Sequence, residues 1–139
     1  MEQIVSRIKP VIIVSCLPEL SERKLNEIYR ELVKAIEDAK EFAIHDEESL
    51  VVIFPSDSMK YGLGTEIIVE GKWFPENDEV GEKEWMGLAF WIGMTIQKFF
   101  EKSFVQCVVG GFSGPRGFWT SFVPDPSKIQ EEVGISVEK

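Results

Sequence analysis

The chain has 139 residues, 44% of them hydrophobic, with one histidine and a formal charge of -9 at pH 7. That length suits one compact domain with a real core. The acidic balance, with no basic cluster, argues against a nucleic-acid partner, and no apolar run reaches the roughly 18 residues of a membrane span.

The N-terminal stretch "MEQIVSRIK" lacks the long apolar core of a signal peptide, so a cytoplasmic protein is expected. The organisation expected is a leader over 1–9, a domain over 10–123 and a tail over 124–139. Pro10 opens the first apolar run, "PVIIVSC", read as a strand. A helix follows. Ser21, just after Pro18, is its N-cap, and Leu25, Ile28, Leu32, Val33, Ile36 and Ala39 recur at helical spacing opposite Glu and Lys. "HDEESL" around His45 reads as a solvated turn, with no second ligand pair at metal spacing. No metal and no cofactor is therefore expected.

"LVVIFP" is the second strand and "TEIIVEG" the third. The second helix, about 82–101, is different in kind. Trp85, Met86, Leu88, Phe90, Trp91, Ile92, Met94, Ile96, Phe99 and Phe100 leave it hardly any polar face, which points to burial on more than one side. Gly87 and Gly93 are small positions where another backbone could approach. "FVQCVV" is the fourth strand. The glycine-rich "GGFSGPRG" after it leads into the β-like "FWTSF", with no Lys-Ser/Thr pair and no helix start, so it is a turn between two strands and not a phosphate loop. Cys16 and Cys107, each inside an apolar run, read as buried structural thiols, with a disulfide between them left open. Asn occurs only at Asn26 and Asn77 while Lys and Glu dominate the charged residues, a thermophile-like usage.

Residues 10–57 and 65–112 repeat the same strand–helix–strand order at the same length. The fold class is therefore α+β, with two pseudo-symmetric β-α-β units forming a four-stranded mixed sheet and two helices on one face. The strands are nearly continuous apolar runs of the kind found where both faces are covered. Two helices cover one face only. A second copy of the chain is the economical cover for the other, so an obligate oligomer is expected.

This pattern, with a proline opening the first strand, resembles the tautomerase superfamily, and most closely its macrophage migration inhibitory factor-like branch. That branch carries Pro, three residues, Met, one residue, an aromatic and Gly after its second strand, and "PSDSMKYG", Pro55 to Gly62, is similar to it. Trp119 stands at a matching interval to the branch's Gly-Trp-type C-terminal strand. The resemblance spans about 10–122. It implies a homotrimer whose sheets line a central barrel, and interfacial pockets for proton transfer on small carbonyl compounds. A ferredoxin-like domain shares the element order but would pair the second strand with the third.

The family's base is an N-terminal proline, whose free amine titrates near neutrality. Pro10 is the matching catalytic position, yet it follows Lys9, so its nitrogen is an amide with a delocalised lone pair and is no base as written. The branch's pocket Tyr and Asn fall on Gln106 and Val108, and its pocket lysine near Ile44. What remains for substrate binding is Tyr61, Lys72, Gln106, Arg116 and Trp119, with Lys72 and Arg116 suited to a carboxylate. The plainer reading of Tyr61 and Trp119 is packing, and of Lys72 and Arg116 a solvated charge. The functional expectation is a diverged keto–enol tautomerase or isomerase lacking the N-terminal-proline mechanism. The alternative is a non-catalytic trimer of the same fold that binds a small molecule or a protein.

Overall fold

The computed structural model of the chain describes residues 8–42, 44, 49–55 and 66–121. His45, Tyr61 with most of its motif, the start of the leader and the C-terminal tail lie outside the described residues.

Strand β1 (Val11–Ser15) leads to helix α1 (Glu22–Glu37), a short 3-10 turn (Lys40–Phe42) and strand β2 (Val51–Ile53). Strand β3 (Glu66–Lys72) leads to helix α2 (Glu82–Phe99) and strand β4 (Phe104–Gly111), and a hairpin adds β5 (Gly114–Thr120). The sheet order is β2-β1-β3-β4-β5. Within each unit the strands are parallel, β1 with β2 and β3 with β4, while β1 and β3 meet antiparallel at the centre. Because β2 lies beside β1 and not β3, the ferredoxin-like order is excluded. The four repeat strands stand as expected, with β5 as a fifth at the edge.

Helix α1 begins where Ser21 Oγ accepts the Lys24 N–H at 3.1 Å. It buries Ile28, Leu32, Val33 and Ile36. The Tyr29 hydroxyl donates to the Leu50 carbonyl at 3.2 Å and ties the helix to the entry of β2. At the start of α2, Glu84 Oε1 accepts the Gly81 N–H at 2.9 Å. The helix turns Trp85, Leu88, Ala89, Ile92 and Ile96 into the core. Phe42 wedges between Phe74 and Trp85, with ring centroids 5.8 and 4.9 Å away, and closes one end of that core.

Both helices lie against a single sheet face. Ile12, Val14, Ile67, Val69, Val105, Cys107 and Val109 are buried beneath them. Their neighbours in sequence point the other way, as the period of two requires. The register aligns three of these, Ile13, Glu70 and Val108, with Ile53 on β2 and Phe118 on β5, in one row across the whole sheet. Ile53, Val108 and Phe118 are exposed, Phe118 to 61%. The apolar runs anticipated two-sided cover; in the single chain the helices supply one side of it.

Three expectations are revised. Helix α2 is covered only on its inner side, since Phe90 is exposed and Trp91 is 54% exposed. Gly93 admits an indole and not a backbone: a Cβ there would lie 2.1 Å from Trp119 Cε3. Cys107 is buried as expected, but Cys16 is only half-buried at a left-handed φ of 72° after β1, and both thiols are free.

Candidate functional site

Pro10 is buried, and its carbonyl accepts the Val51 N–H at 3.0 Å. It thus sets the start of the β1–β2 pairing. Ile8 and Lys9 continue the chain ahead of it on the surface. The ring nitrogen bound into the Lys9–Pro10 peptide has its lone pair delocalised into the Lys9 carbonyl and takes up no proton near neutral pH.

The other expected residues fall on opposite sides of the sheet. Lys72 pairs with Val11, and Gln106 with Ile68 and Thr120, so both belong to the open face. They lie about 13 Å apart along the strand direction, four residues of rise, and do not share a cleft. Trp119 pairs with the buried Cys107 and so faces the helices. There it packs over Gly93 and meets Phe90 edge-on at 6.2 Å.

Arg116 is the extra residue of a bulge: Val109 pairs with Gly117 and Gly110 with Pro115, which leaves Arg116 without a partner across the ladder. The bulge re-aims its side chain. Its guanidinium lies 5.8 Å from the Trp85 ring, and Nη1 donates to Glu76 Oε1 at 3.1 Å. The same carboxylate accepts the Ser113 N–H at 2.9 Å and the Ser113 hydroxyl at 2.6 Å. These bonds hold the Glu76 carboxyl below its ordinary value, the Ser113 hydroxyl contributing most, then the Ser113 amide, with Arg116 a smaller influence. Arg116 is therefore engaged in clasping the β4–β5 hairpin onto the segment before α2.

The glycines of "GGFSGPRG" serve that hairpin. A Cβ on Gly110 would meet the Gly114 carbonyl oxygen at 2.1 Å, one on Gly111 would meet Glu76 Oε2 at 2.2 Å, and Gly114 has φ +112°. The turn reading holds.

One cleft on the open side does gather chemistry. It has a volume of about 250 Å³ and lies between the end of β3 and the β4–β5 hairpin. That is room for roughly eight waters. Glu70 and Lys72 enter it from β3, and the aromatic side chains of Trp73 and Phe112 flank it with Val108 and Pro115. Trp73 is held there by a left-handed turn, φ 66°, where β3 ends. Among the described residues neither Glu70 nor Lys72 makes an ion pair. Lys72 was legible beforehand; Glu70, Trp73 and Phe112 were not. The signal for Glu70 is its outward place in "TEIIVEGK", where a charge interrupts an apolar stripe visible only once the register is known. Among the described residues no cluster of His, Cys, Asp or Glu could hold a metal, and no helix is long and apolar enough to cross a membrane.

No family model matches the sequence, and no curated protein is significantly similar to it. Among solved structures the chain is similar to a fused 4-OT, wild type, forming an asymmetric trimer: TM-score 0.56 and 13% identity over 73% of this chain and 85% of that one. It is also similar to malonate semialdehyde decarboxylase, at TM-score 0.45 and 12% identity over 90% and 99% of the two chains. The likeness to the first is one of fold, and the fold is the tautomerase fold.

Proposed function

We propose that the chain forms a homotrimer of the tautomerase fold and isomerises small carbonyl compounds at clefts walled by neighbouring subunits, with a base other than a proline amine. Within that fold it is read as nearest the macrophage migration inhibitory factor-like branch, on the spacing of Pro55 and Trp119. One observation carries the reading. The cleft of Glu70 and Lys72 shares Glu70 and Val108 with the apolar stripe that crosses the open sheet face. A second copy seated on that stripe would therefore form the missing wall of the cleft. The trimeric assembly of the fused 4-OT neighbour supports this arrangement. Lys72 is the carboxylate anchor; in Arg116 and Trp119 the contacts favour a supporting role.

The burial of Pro10 and its amide nitrogen favour a second reading, a trimer of the same fold that binds a small carboxylate without turning it over. Two measurements separate these. Light scattering at dilute concentration should return three times the protomer mass, and a folded monomer would remove both readings. Full-length protein and a version starting at Pro10 should then be assayed on phenylpyruvate-type substrates. Turnover by the full-length chain supports the enzyme, whereas turnover only after the leader is removed returns the chemistry to the proline. Saturable binding with no turnover in either form supports the binding trimer.

A further inference from the structure

The geometry points to Glu70 as the general base of this site, a catalytic role that takes the place of the proline amine. This rests on the enzymatic reading above. Three observations meet at Glu70. It is the one charged member of the stripe formed by Ile53, Ile13, Val108 and Phe118, with Ile13 and Val108 as its direct neighbours on either strand. A carboxylate there weakens any apolar contact across the stripe, since charges are poorly accommodated among apolar groups. A face meant only for packing would carry a branched aliphatic at that position.

Glu70 is also exposed into the cleft and has no ion-pair partner among the described residues, so its oxygens are available. Finally, Lys72 stands two residues on, on the same face of β3 and lining the same cleft. The two Cα positions are separated by about 6.7 Å of strand rise. A small oxo acid fits between such groups, its oxygens toward the ammonium and its acidic C–H toward the carboxylate.

The step is a proton transfer. The C–H bond beside the carbonyl breaks and its proton forms an O–H bond on Glu70. The C–H electron pair becomes the C=C bond, and the carbonyl π pair settles on oxygen as an enolate facing Lys72. Glu70 then returns to carbon either that proton or one its carboxyl has exchanged with solvent. Alternatively, water protonates the oxygen to give the enol, and the hydroxide so formed takes the proton from Glu70. Nothing is consumed, and the carboxylate is regenerated. A carboxylate performs such an abstraction where the enolate is stabilised.

The test is deuterium exchange at the carbon beside the carbonyl, followed by NMR in D2O. The probes are pyruvate, 2-oxobutanoate and phenylpyruvate, and the proteins are full-length wild type, Glu70→Gln and Glu70→Asp, each checked for native circular dichroism and oligomer mass. We expect Glu70→Gln to lower kcat/KM at least 100-fold, within the range general bases contribute. Glu70→Asp should recover at least tenfold of that loss. The wild-type rate should fall tenfold per pH unit on its acid side, and Glu70→Gln should lack that limb. Exchange by Glu70→Gln within threefold of wild type, or an acid limb that persists in it, would overturn the assignment while leaving the enzyme standing. No exchange by wild type on any of the three would overturn both.

Discussion

Gly87 and Gly93 lie six residues apart on α2, and replacing each with alanine separates backbone propensity from packing. Both changes gain about 0.5–1 kcal/mol of helix propensity. At Gly87 a Cβ meets nothing within 4 Å, so Gly87→Ala should stabilise by about that amount. At Gly93 a Cβ would lie 2.1, 2.6 and 3.0 Å from Trp119 Cε3, Cζ3 and Cδ2. Ordinary carbon contacts lie at about 3.5–4.0 Å, so the indole must retreat by roughly 1.5 Å against Phe90. Overpacking of that kind costs about 1–3 kcal/mol. The propensity gain cancels between the two variants, and Gly93→Ala should therefore be less stable than Gly87→Ala by about 1–3 kcal/mol. Urea denaturation at one fixed protomer concentration measures this, and the double variant Gly93→Ala with Trp119→Ala should abolish most of the difference. Equal stability of the two alanine variants would refute the seating of Trp119 on the helix side. The indole would then be free to serve a substrate pocket, the role the family resemblance implied for it.

Glu76 should make stability acid-sensitive. Its folded pKa lies below the ordinary 4.5, so its contribution is complete above that value and is lost as pH falls through the lower folded value. Stability followed from pH 7 downward should drop below about pH 4.5 more steeply in wild type than in Glu76→Gln. Ser121 is buried, accepts the Val105 N–H at 2.7 Å and also bonds Gln97. Ser121→Ala should cost about 1–3 kcal/mol, because a buried N–H loses its partner, and the Val105 amide should exchange with D2O correspondingly faster. Burial pushes the Cys107 thiol up to about 12, which leaves a thiolate fraction on the order of 10⁻⁴ at pH 8. Ellman's reagent should accordingly modify the half-buried Cys16 at least 100-fold faster than Cys107, and the two rates should converge in denaturant.

The hydrophobic periodicity of this chain determined its elements and their order. Ser21 as a cap and Leu25 to Ile36 as a stripe suffice to define α1, because both signals act within a few residues. The repeat of 10–57 in 65–112 determined the two parallel pairs, since crossover units leave little topological choice. It also implied an uncovered sheet face, from the excess of apolar strand over available helix. Side-chain destinations were another matter. The direction of Arg116 depends on a bulge that shifts the register between Val109 and Gly110, and the seat of Trp119 on the absence of a Cβ from Gly93. Glu76 meets Ser113, 37 residues away. Glu70 becomes the one charge in an apolar cross-sheet stripe only when Ile13 and Val108 are set beside it by strands distant in sequence. Contacts of that range carry no local signature, because they are made by the pairing of strands and not by the order of residues along any one of them.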